Sequence, residues 1–127
     1  MENLRLQLID LHKLIHYSER TIQVYPAIEK QCRMIQIKIG GMYRDFKYDK
    51  RPEEIIDALR KVSGQVTAIS TTLSAFRGRL VHPLNDKNFY DMAEIDMKKV
   101  IEAFNELQEL VKHDEVVLRI AEEHLGI

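Results

Sequence analysis

The sequence has no tryptophan, one cysteine, three prolines and five glycines, and each scarcity narrows the field. A lone cysteine excludes an internal disulfide, and no Cys-x-x-Cys or His-Glu-x-x-His pattern is present to hold zinc. Cys32 falls on an apolar stripe and reads as a small buried hydrophobe. There is no glycine-rich phosphate loop and no Gly-x-Ser-x-Gly elbow. No apolar run approaches the roughly 20 residues that a membrane-crossing helix needs. The opening, MENLRLQLID, is too charged for a secretory signal, so cytoplasmic residence is expected and no membrane partner. Neither sign of charge dominates: 19 Lys and Arg stand against 20 Asp and Glu, a net charge of −1. A uniformly basic nucleic-acid-binding surface is therefore not favoured.

What is present is a chain of 127 residues, 45% apolar and 31% charged. That is enough for one helix-rich domain, residues 1–127, with a modest core and no metal or cofactor. Charge is unevenly spread. Residues 1–51 carry ten Lys/Arg and six Asp/Glu, whereas residues 52–127 carry nine and fourteen. Such asymmetry suits an N-terminal part that docks on the C-terminal part, of this chain or of a second copy.

Periodicity gives the fold class. Over residues 53–81, Ile55, Leu59, Val62, Val66, Ile69, Leu73, Phe76 and Leu80 recur at steps of four and three, which predicts one long helix. Pro52 suits its first position, and Glu53 and Glu54 suit the positive end of its dipole. A second stripe of small residues, Gly64, Ala68, Thr71, Ala75 and Gly78, runs beside the first. It predicts burial on two sides and a face where another backbone can come close. A further helix is expected from about Phe89 to Leu125, with Asn88 as its N-cap and Asp91 in an approximate capping box. Asp114 intrudes on its stripe: either the helix breaks there and Asp114 caps a short terminal helix, or Asp114 is a seam residue with a partner across the interface. An N-terminal helix is marked by Leu4, Leu8, Leu11, Ile15, Ile22 and Tyr25, and Pro26 kinks or ends it.

Residues 26–48 admit two readings. Ile28, Cys32, Ile35, Ile39, Met42 and Phe46 step like a helix, but IQIKI alternates and precedes Gly40-Gly41, as a β-hairpin over residues 33–48 would. On a hairpin tip, YRDFKYDKR at 43–51 makes a nucleic-acid-binding finger; on a helix it is a solvated turn into Pro52. Helix is favoured, and the whole reads as an up-and-down antiparallel bundle of three long or four helices, with short connections near 48–52 and 82–88.

Few constellations point to chemistry. His12, His16 and Glu19 share a helical face, although three ligands from one surface helix lack a fourth, so a solvated face is expected. Asp57 with Lys61, Glu94 with Lys98 and Glu115 with Arg119 are expected as helix pairs at i, i+4. The sharpest motif is FRGRLVHP, residues 76–83. Gly78 is a natural helix stop and Pro83 turns His82 out of the helical region, which lets the imidazole approach Arg77 or Arg79. An arginine beside a histidine suits metal-free RNA cleavage, the histidine moving the 2′-hydroxyl proton and the arginine steadying phosphorus oxygens. The same residues are also cations complementing a helix C-terminus.

FRGRLVHP followed by EIDMKKVIEAF resembles the Arg-x4-His signature and final helix of the HEPN superfamily. The resemblance implies a small all-α dimer acting as a ribonuclease toxin beside a nucleotidyltransferase antitoxin, with Arg77 and His82 as its catalytic residues. The residues alone lead elsewhere. The double stripe and the long seams predict a non-catalytic bundle that binds other helices, as a homodimer or with a protein partner. Gly64, Ala68, Thr71, Ala75 and Asp114 are its expected interaction surface.

Overall fold

The structure, a computed structural model, describes residues 1–78 and 83–125, with side chains over 1–78 and 88–124. Among the described residues four helices occur in order, α1 (Glu2–His16), α2 (Tyr25–Tyr48), α3 (Glu53–Arg77) and α4 (Pro83–Leu125), with one 3-10 turn, Ile22–Val24, leading into α2. No strand occurs among the described residues, so the bundle takes its four-helix form and residues 33–48 are helix. The reason is burial. Ile28, Cys32, Ile35, Ile39 and Met42 all enter the core on one face of α2. At about 1.5 to 3 kcal/mol per large side chain, this outweighs the roughly 2 kcal/mol that Gly40 and Gly41 cost a helix.

Each helix packs on the next, and α1 closes the ring against α4 along the slightest of the four seams. Cross-seam pairs show the antiparallel run. Between α2 and α3 the partners are Glu29 with Arg77, Gln36 with Ser63, and Tyr43 with Arg60. Between the α2–α3 turn or α3 and α4 they are Arg51 with Asp114 and Lys61 with Glu106. The core is one cluster drawn from all four helices, and no charged or polar residue is buried in it among the described residues. Cys32 lies in that cluster; burial pushes its thiol up, against a smaller opposing pull from a Ser70 hydrogen bond. At one end the aromatic rings gather. Phe89 sits edge-on to Tyr25 at 4.9 Å, to Tyr90 at 5.1 Å and to Phe76 at 6.0 Å, and Tyr90 donates to the Thr21 carbonyl at 2.8 Å.

Three boundaries differ from the sequence expectation. The N-terminal helix stops at His16; Ile22 opens the 3-10 turn and Tyr25 opens α2. Pro26 does not end α1 but lies in the first turn of α2, where its missing N–H costs nothing. α4 begins at Pro83, so Asn88 and Asp91 are interior residues and not a cap; there is no loop over 83–88. Pro52 is the N-cap of α3, one residue earlier than expected. Gly78 does cap α3, but at φ −75°, so its glycine freedom is unused.

The freedom is needed elsewhere. In the turn after α2 the Arg51 N–H bonds the Phe46 carbonyl at 2.9 Å and the Lys50 N–H bonds Lys47 at 3.2 Å, a Schellman closure. Its left-handed position is held by Lys50 at φ 55°, the only non-glycine residue with positive φ among those described. Lysine there costs about 1 kcal/mol relative to glycine.

Candidate functional site

α4 has 43 residues against 15, 24 and 25 in the others. At about 1.5 Å per residue it is about 65 Å long, nearly twice α2 or α3. Its partners run out before it does. Arg51, in the α2–α3 turn, meets Asp114, and Val111 is the last buried residue of α4 among those described. From Glu115 onward the helix overhangs the bundle. Val116, Val117, Leu118 and Ile120 stand there between 42% and 49% exposed; Leu118 continues the covered stripe with Val117 at its edge, while Val116 and Ile120 lie on the other side of the helix. A hollow of about 220 Å³ lies at the root of the overhang, lined by Asp49, Lys50, Arg51, Pro52, Asp114 and Leu118.

Asp114 marks that root. It does not break the helix: its carboxylate accepts a 2.5 Å hydrogen bond from Arg51, with side chains 15% and 20% exposed. Of the two readings open in the sequence, the seam residue with a partner is the one realised. Arg51 is held from its other side by the Phe46 ring, 5.6 Å away. Tyr43 is likewise engaged, its hydroxyl bonded by Arg60 at 2.6 Å. In the stretch 43–51 only Tyr48 presents an open ring, at 88% exposure.

A second concave region runs along the α1–α4 seam. Two adjoining cavities of about 360 and 240 Å³ share His12 and Ile101. In the larger, His16 Nδ1 lies 2.6 Å from Glu94 Oε1, and Arg20 donates to the same oxygen at 2.6 Å and to Asp91 at 3.4 Å. The hydrogen bond from His16, then the charge of Arg20, hold the Glu94 carboxyl below its ordinary 4.5. The His12 ring stacks on His16 at 5.3 Å, and its Nδ1 is buried without a hydrogen-bond partner. The carboxylate that meets the histidines is thus Glu94 and not Glu19. No group of three ligating side chains able to hold a metal ion occurs among the described residues. The cluster clips the end of α1 to α4 electrostatically.

Arg77 is the last residue of α3, and its guanidinium pairs with Glu29 of α2. His82 and Arg79 lie outside the described residues, as does any approach between them and Arg77. The small stripe is open: Gly64, Thr71 and Ala75 are exposed and Ala68 is half-buried. Within the chain α3 is therefore buried along one arc, not on two sides, because α2 and α4 both pack on its large residues. A Cβ on Gly64 would meet nothing within 4 Å. The expected i, i+4 pairs also differ: Asp57 pairs with Arg60, Lys61 with Glu106, and Glu94 with His16 and Arg20. Comparison with protein-family models, curated proteins and solved structures finds no match to this chain.

Proposed function

We propose that this chain is a non-catalytic helical-bundle protein that works by binding other helices, its own copy or a protein partner. The observation that carries this reading is the overhang of α4, whose apolar side chains continue past the last helix able to cover them. The open small-residue face of α3 at Gly64, Ala68, Thr71 and Ala75 offers a second surface where a backbone can approach closely. Cytoplasmic residence accompanies this reading; no helix among the described residues is long and apolar enough to cross a membrane.

Light scattering and cross-linking of the purified chain, with pull-downs, test the proposal. A strict monomer without a partner would end it. Gly64→Ala separates the two surfaces. With open space around it, the methyl group raises stability by about 0.5 to 1 kcal/mol and leaves association unchanged if the overhang is the contact. The HEPN-like ribonuclease is the competing reading. It is supported by the position of Arg77 at the end of α3, five residues before His82, and opposed by the pairing of that arginine with Glu29. Growth arrest on expression, relieved by His82→Ala, would favour the enzyme; no toxicity and no RNA cleavage would remove it.

A further inference from the structure

The overhang and the α2–α3 turn lie at the same end of the bundle but carry opposite charge. Over 114–123 there are four acids, Asp114, Glu115, Glu122 and Glu123, against Arg119 alone; over 44–51 there are four bases, Arg44, Lys47, Lys50 and Arg51, against Asp45 and Asp49. Arg51 and Asp114 satisfy each other at the root. Beyond them the charges are left over: no ion pair engages Lys47, Lys50, Glu122 or Glu123 among the described residues. The acidic end cannot fold back onto its own turn, because α4 is continuous from Pro83 to Leu125 and carries that end away from the bundle.

We infer that the overhang pairs antiparallel with the overhang of a second copy, so that the acidic last turn of each α4 seats on the basic α2–α3 turn of the other. This rests on the interaction reading above and names its partner. Length fixes the arrangement. Each overhang starts level with its own turn, so two of equal length laid antiparallel place the tip of one at the root of the other, where the hollow beside Lys50 and Leu118 is. At about 100° per residue Val117, Leu118 and Ala121 share a face for the paired helix, while Glu115, Arg119 and Glu123 point away from it and Glu122 flanks it. The tip brings the Glu122 carboxylate and the negative end of the helix dipole to the bases of the turn. Lys50 adds a separate argument: it occupies a left-handed position that glycine fills with less strain, so folding does not account for a lysine there. The contact is two-fold and self-complementary, which closes at a dimer.

Sedimentation equilibrium of the full chain tests this, with circular dichroism to confirm that each variant keeps its helices. The expected result is a monomer–dimer equilibrium that weakens as salt is raised. Val117→Asp combined with Leu118→Asp abolishes it, and these residues lie outside the core. Lys50→Glu, or Glu122→Lys, weakens dimerisation about tenfold each, and the two together recover most of the loss. Lys50→Gly separates folding from docking, because the monomer resists denaturant better while the dimer weakens. A dimer indifferent to the charge exchange, or to the aspartates, overturns the inference. A monomer that still binds another protein through the overhang also overturns it and leaves the interaction reading standing, whereas a monomer that binds nothing removes both.

Discussion

Two stretches of α4 share one helix and one period and differ only in what covers them. From Phe89 to Val111 the stripe Ala93, Met97, Val100, Phe104 and Leu107 is sealed by the other three helices. Past Asp114 the stripe goes on through Leu118 and Ala121, and solvent reaches both. The apolar pattern specifies a face and says nothing of the partner; the lengths of α1, α2 and α3 decide where cover ends. A period that outlasts its cover is the feature the proposed association would use.

The largest effect expected from that contrast comes from one deletion made twice. Leu107→Ala, at a fully buried site, costs about 2 to 5 kcal/mol in urea denaturation. Leu118→Ala leaves monomer stability within about 0.5 kcal/mol and instead lowers association. Equal losses at both positions would show that the overhang is covered within the monomer. Next is the boundary between the stretches. Asp114→Ala strips the half-buried Arg51 of its acceptor and costs about 1 to 2 kcal/mol, and a double-mutant cycle with Arg51→Ala recovers most of it as coupling. The smallest effect lies in the covered stretch. Glu94 has its folded pKa lowered from 4.5, so the stability it contributes is present above that value and is lost as pH falls through the lower, folded one. Glu94→Gln should therefore flatten the acid limb of a stability–pH curve below about pH 5, slightly, because the group is partly exposed.

Much of the fold was legible. The steps of four and three in α2, α3 and α4 name nearly every core residue, since burial on a helix face leaves that signature. The misplacements were local. Ile22 and Tyr25 keep the helical period across a break, so pattern alone ran α1 on to Pro26; in the structure the Ser18 hydroxyl bonds the Leu14 carbonyl as the helix ends. Asn88 and Asp91 resembled a cap because cap chemistry needs few residues, while Pro83 supplied the real start. At the candidate site, Asp114 was visible as an intruder, but Arg51, 63 residues away, could not be paired with it from sequence. The sequence places His12 and His16 on one face but pairs Glu94 within its own helix, because α1–α4 contacts leave no periodic trace.

The absence of tryptophan turns the aromatic placement into an optical asset. Near-ultraviolet emission is dominated by five tyrosines, which differ by position: Tyr25 and Tyr90 are enclosed with Phe89 at the closed end, while Tyr17 and Tyr48 stand open, Tyr48 on the basic turn. Native emission thus carries two separable signals. Quenching by a soluble agent reads Tyr17 and Tyr48, and the Tyr48 share falls when the basic turn is occupied, whereas Tyr25 and Tyr90 become quenchable only when the bundle itself opens.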